Sequence, residues 1–282
     1  MDALAVASAL VFVWAEKRAQ EPIIPLELFS DRNFNLATLA GLIIAIAMFG
    51  AIAYMPTYFQ MAAGVSATEA GLLMIAMVVG LMSTALTTGA LVSKTGKYKA
   101  FIVSSGVVVA GGLGLLSTIN ADTSVWVVCV FLFVIGAGIG LGMQNLLLVA
   151  QSAFSNTLVG TATATNNFFR EIGATLGGAV VGALFTSRLS DRLADNLPAG
   201  ALEASGAHGS GGLTPDLVHH LPEAIQNVVV NAYADALTPV FLMLVPLALL
   251  QVVVLAFVKE KPLAASFEEQ EAQAHQIVHA PH

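Results

Sequence analysis

The 282 residues are 57% hydrophobic and only 10% charged, with a mean hydropathy of +0.81. Soluble domains carry about a quarter charged residues, so a water-soluble fold is excluded and lipid must be the solvent for most of the chain. The formal net charge is −7, with the acidic excess in loops and tail, which offers no basic face to nucleic acid.

The first fourteen residues, MDALAVASALVFVW, are apolar, but the basic pair Lys17 and Arg18 follows the run instead of preceding it. A signal peptide has the reverse order and a small-residue cleavage site, whereas a spanning helix needs about 20 apolar residues. Residues 1–14 therefore read as the tail of a truncated transmembrane helix, and 15–33 as a cytoplasmic connector. Charge-free stretches then mark six spans, at 34–57, 69–92, 100–119, 123–149, 164–187 and 237–258. Each covers about 30 Å of hydrocarbon as a helix. Helices are required because backbone groups in lipid must pair within their own segment. The expected fold is an all-α membrane bundle with five transmembrane helices in 34–187 and a last one at 237–258. An extracytoplasmic loop at 188–236 and a cytoplasmic tail at 259–282 complete it. Within that loop, SGAHGSGG at 205–212 has the composition of a flexible linker. Pro239 and Pro246 are expected to loosen or kink the last helix.

Lys and Arg set the orientation. With the connector in the cytoplasm, Lys17, Arg18, Arg32, Lys94, Lys97, Lys99, Arg170, Lys259 and Lys261 fall on that side. That is nine of the 11 basic residues, leaving only Arg188 and Arg192 outside. The C-terminus is then cytoplasmic, in a multi-pass protein of the plasma or inner membrane. Trp14 and Tyr98 are expected at the inner interface, and Tyr54, Tyr58 and Trp126 at the outer one.

The lone Cys129 lies inside an apolar run, so neither a disulfide framework nor a C-x-x-C metal site is available. His208, His219, His220, His275, His279 and His282 read as solvated loop and tail residues, and no metal or cofactor is expected. Gly136, Gly138, Gly140 and Gly142 in one span, and Gly173, Gly177, Gly178 and Gly182 in another, suit close helix packing. Gly136 to Gly142 lacks the βαβ context of a nucleotide site. Gln144, Asn145, Asn167 and Thr175 lie at membrane depth. Such groups face another helix or a wet cavity, and the residues alone leave both open. Arg170 and Glu171 are the ionisable residues nearest the membrane interior, and neighbours on a helix point about 100° apart, so their pairing is not assumed. No Asp, Glu, Lys, Arg or His occupies the centre of a full span.

The turn GALVSKTGKYK, through Gly89, Leu91, Lys94, Gly96, Lys97 and Lys99, resembles the G-x-L-x-D-R-x-G-R-K loop of the major facilitator superfamily. Ser93 stands at the acidic position, so a charge relay through this loop is not expected. The segment from Gln144 to Phe185, with Asn167, Arg170, Gly173 and Gly177 in N-x-x-R-x-x-G-x-x-G order, resembles the C-terminal half of fourteen-span drug:proton antiporters. EPIIPLELFSDRNF and AYADALTPVF resemble the connector and the approach to the last helix in that family. The resemblance implies the C-terminal six-helix bundle, built of two inverted three-helix repeats, with Gln144, Asn145 and Asn167 lining a central path. It implies no enzyme activity. A proton gradient would be the energy source and amphiphilic small molecules the cargo. The partners would be the bilayer and an N-terminal bundle, whose acidic residues couple the protons. The alternatives are a stand-alone six-helix membrane partner or assembly subunit, or a half-size transporter working as a homodimer.

Overall fold

The computed structural model describes residues 24–154, 156–197 and 213–260. The readings for 1–14, for most of the 15–33 connector, for the 205–212 linker and for the tail beyond Glu260 lie outside those residues. The described chain is helical. A 3-10 turn at Leu26–Ser30 leads into α1 (Arg32–Ile52), α2 (Met55–Ala63), α3 (Ala67–Leu73), α4 (Ile75–Thr95) and α5 (Lys99–Leu116). There follow α6 (Val125–Gln151), α7 (Asn156–Asn196), the short α8 (Pro215–His219) and α9 (Glu223–Ala256). Among the described residues, six helical stretches are long and apolar enough to cross a membrane, with α1–α2 and α3–α4 each forming one.

Local chemistry places the breaks. Asp31 opens α1 by accepting a hydrogen bond from the Phe34 N–H at 2.9 Å. Pro56 sits in the first turn of α2, where its missing N–H costs nothing, and the helix breaks just before it. Gly64 closes α2 with φ 65°. Ser66 and Glu69 then open α3 with reciprocal bonds: the Ser66 N–H donates to Glu69 Oε2 at 2.9 Å, and the Glu69 N–H to Ser66 Oγ.

Two helices run well past a bilayer. α7 has 41 residues, about 60 Å at 1.5 Å per residue, roughly twice the hydrocarbon thickness. It continues because Phe185, Leu189 and Leu193 form a buried stripe on its C-terminal part. α9, with 34 residues, runs unbroken through Pro239 and Pro246, and its N-terminal turns bury Val229, Ala232 and Tyr233.

The helix pairing carries an approximate two-fold relation between α1–α5 and α6–α9. α4 lies along α6 as α7 lies along α1, α5 lies along α6 as α9 lies along α1, and α1·α6 and α5·α9 are the self-related contacts; α7·α9 breaks the relation, since α4 and α5 do not pack together to the same extent. The span made by α3 and α4 is the least buried, with Leu72, Val78, Val79, Met82 and Leu86 exposed.

The interior is layered. One apolar cluster fills the middle of the bundle and the end where α1 finishes, through residues such as Leu132, Ile139, Val181 and Phe241. A second fills the end where α1 begins, through Phe34, Ile102, Val149 and Leu255. Between them, Ser105, Asn145, Thr165, Asn166 and Gln251 form a buried polar seam. Tyr58 and Tyr98 correct the interfacial reading. Both are buried inside the bundle and not presented at its surface, and the Tyr58 hydroxyl donates to the Asn120 carbonyl at 2.7 Å, which ties the α5–α6 loop to α2. Trp126 is exposed.

Candidate functional site

At the basic end, Gly96 ends α4 with φ 66°, and its N–H reaches the Val92 carbonyl. Lys94 and Lys97 are exposed, and Lys99 is half-buried. Ser93 only donates to the Ala90 carbonyl one turn back. The acid at this turn comes from elsewhere: Glu260 Oε1 accepts from the Tyr98 N–H at 2.9 Å and the Lys99 N–H at 3.2 Å, capping α5 from the far end of the chain. Asn33 holds the neighbouring residue twice, donating from Nδ2 to the Lys259 carbonyl at 2.8 Å and accepting from the Lys259 N–H at 3.0 Å. The four residues after α9, 257–260, thus form a strap that fastens α1 and α5 together. Sequence reading missed it, because hydrogen bonds that reach across most of the chain leave no local pattern.

The candidate cavity-lining residues separate. Gln144 and Thr175 are exposed and Asn167 is half-buried, whereas Asn145 is 1% exposed. Asn145 Nδ2 donates to the Leu141 carbonyl of its own helix at 2.8 Å, and its Oδ1 is unpartnered. Thr175 likewise bonds back to the Glu171 carbonyl. The cross-helix amides are others: Asn166 Nδ2 donates to Thr38 Oγ1 at 3.2 Å, and Gln251 Nε2 to Ser105 Oγ at 3.3 Å. Arg170 and Glu171 do approach, with 3.8 Å between Arg170 Nη2 and Glu171 Oε1. The contact is loose and Glu171 is well exposed, so it contributes little stability.

The glycines bring backbones together. A side chain on Gly136 would strike the Met77 carbonyl, and one on Gly140 the Leu81 carbonyl and Thr84 Oγ1, across the α4–α6 contact. Gly173 and Gly177 face the Leu42 and Ile46 carbonyls in the same way across α1–α7. In each pair two glycines four apart meet two carbonyls four apart. Thr84 Oγ1 adds a bond to the Ala137 carbonyl at 2.9 Å.

At the other end, α8 folds back over the bundle, and His219 Nε2 meets the Gln60 carbonyl at 3.1 Å. A cavity of about 640 Å³ opens beside it, lined by Met61, Asp122, His219, Glu223, Gln226 and Asn231 among others. His219 is therefore a structural contact as well as a surface residue. No metal-holding cluster of His, Cys, Asp and Glu occurs among the described residues.

Residues 3–178 match the family model described as Major Facilitator Superfamily. The chain belongs to this superfamily. Among major facilitator relatives, an uncharacterised MFS-type transporter of Mycobacterium tuberculosis strain H37Rv is 36% identical over 89% of this chain and 36% of its own length. The multidrug transporter protein MdtP of Bacillus subtilis is 40% identical over 69% of this chain and 36% of its own length. Multidrug resistance protein 3 of the same species is 28% identical over 87% of this chain and 49% of its own. The chain thus spans a third to a half of these curated relatives. A solved bacterial homologue of the human lysosomal transporter Spinster, inward-facing and occupied, superposes with a TM-score of 0.65 at 13% identity. The superposition covers 85% of this chain and 51% of that one. That likeness supports the major facilitator fold and is a likeness of fold alone.

Proposed function

We propose that this chain is the C-terminal six-helix bundle of a multidrug-type efflux antiporter, which exchanges protons for amphiphilic small molecules by alternating access. The observation that carries this reading is the pair of relatives named for multidrug transport and multidrug resistance, of which the chain covers 36% and 49%. A second bundle would supply the rest of the cavity, and rocking of the two would expose it to each side in turn. The open flanks of α4 and α7 support this, since both carry exposed apolar side chains such as Met82, Leu86, Phe168 and Val180. Proton coupling requires a group that changes charge within the membrane. The polar seam of this bundle holds amides and hydroxyls instead, so the coupling acid is assigned to the second bundle.

Expressed alone, the chain should reach the membrane and confer no uncoupler-sensitive dye efflux. Co-expression with the N-terminal half of a full-length multidrug relative should be needed for transport. Robust, uncoupler-sensitive extrusion by the chain alone would overturn the half-transporter reading in favour of a homodimer.

The same reading places the basic end in the cytoplasm of the cell or inner membrane. In a Cys129→Ser background, Asp122→Cys should react with an impermeant thiol reagent applied outside, and Ser93→Cys should not. Labelling at Ser93→Cys alone would reverse the orientation.

A further inference from the structure

The strap after α9 does more than end a helix. It carries Lys259 to the start of α1 and Glu260 to the start of α5, so Lys94, Lys97, Lys99 and Lys259 share one end of the bundle, with Arg32 beside them. Three of those lysines and Arg32 are exposed, and Lys99 is half-buried. Glu27, Asp31 and Glu260 lie at this end, and Glu171 stands further along α7 beside Arg170. Two of them are committed to backbone. Asp31 caps α1, and Glu260 caps α5. No salt bridge to Lys94, Lys97, Lys99 or Lys259 occurs among the described residues, which leaves these lysines to an outside anion. The place of the patch fits one anion above others. It sits at the ends of three spanning helices, α4, α5 and α9, at the level of lipid headgroups.

We propose that the strap builds a binding site for an anionic phospholipid headgroup. Lys94, Lys97, Lys99 and Lys259 are its cationic lining, and Glu260 is the residue that assembles it. Juxtamembrane clusters of four or more basic residues attract anionic lipid near the surface. That general attraction needs no fixed geometry. The structure makes a narrower claim, because one member of the site is an acid. Removing Glu260 makes the patch more positive, so general attraction to anionic lipid would rise. If the strap builds the site, the same change loosens Lys259 from the three lysines of the α4–α5 turn and the preference falls. The two readings differ in sign.

The test measures thermal unfolding of the full 282-residue chain in detergent, with added phosphatidylglycerol or added phosphatidylcholine. Phosphatidylglycerol should raise the wild-type midpoint by roughly 4 °C more than phosphatidylcholine does. Glu260→Ala should lose most of that difference, and so should Asn33→Ala, which releases the strap without changing charge. Gln in place of the four lysines should abolish it. An unchanged or larger difference in Glu260→Ala would overturn the built site, as would equal effects of the two lipids on wild type. An equal gain from inorganic phosphate would show a site for a soluble anion and overturn the lipid assignment. Should Glu260→Ala fail to fold in phosphatidylcholine, Asn33→Ala alone decides by the same criterion.

Discussion

Gly177→Ala should destabilise the bundle, while Gly178→Ala, the next residue on the same helix, should leave it unchanged or stabilise it. In a helix interior Ala is favoured over Gly by about 1 kcal/mol, and at Gly178 a Cβ meets no neighbouring atom within 4 Å. At Gly177 it would sit 2.5 Å from the Ile46 carbonyl oxygen. A backbone oxygen cannot swing aside as a side chain can, so α1 and α7 must separate. Overpacking of this kind costs about 1–3 kcal/mol, and here it spreads along a whole helix pair. Gly136→Ala should behave like Gly177→Ala, because its Cβ would strike the Met77 carbonyl. Gly111→Ala, with open space around it, should behave like Gly178→Ala. The readout is the thermal midpoint in detergent, followed by size-exclusion chromatography. Equal effects at 177 and 178 would refute the close backbone contact.

The spans were legible because lipid permits only charge-free helices, and charge-free runs can be counted. Their faces were not. In water, polarity shows which side of a helix is buried. In lipid the inside and the outside are both apolar, and α6 is apolar on every side from Val125 to Met143. Glycine spacing was the one local sign of a contact. The partners of those glycines, the carbonyls of Leu42, Ile46, Met77 and Leu81, have no side-chain signature. Tyr58 and Tyr98 illustrate the same blindness, since an amphipathic ring suits a membrane surface and a buried helix end equally well. The basic turn was legible as a resemblance, and the serine at its acidic position was visible. That Glu260 takes up the capping role follows only from the path of the strap. Of the candidate cavity residues, Gln144 was separable from Asn145 only once the rotation of α6 was known.

Gln251 gives the largest charge effect expected in this protein. It is fully buried on α9, at the seam between the two apolar clusters. Its Nε2 donates to Ser105 Oγ, and Ser105 Oγ in turn donates to the Ile102 carbonyl at 2.7 Å. Its Oε1 is unpartnered. A buried acceptor without a partner costs about 1–3 kcal/mol, whereas a hydrogen bond between membrane helices contributes about 0.6 kcal/mol on average. Gln251→Leu keeps much of the volume and removes both, so the balance favours the variant, and its thermal midpoint should rise. Ser105 keeps its own bond to Ile102, so that change orphans no second group. Gln251→Glu keeps the shape and adds a carboxylate with no cation beside it. Desolvating that charge, or holding it protonated, should cost several kcal/mol, and folded yield should fall sharply near neutral pH. Acidification should recover part of the loss, because protonation restores a neutral side chain. A lower midpoint for Gln251→Leu would mean that the bond to Ser105 outweighs the orphaned oxygen. If Gln251→Leu instead gains stability, and a transport-competent assembly carrying it loses efflux, then the polar seam is retained for movement between α5 and α9. That contact is close, because Gly106 meets the Ala248 carbonyl and Val252 on α9, and a change of shape there is felt along both helices.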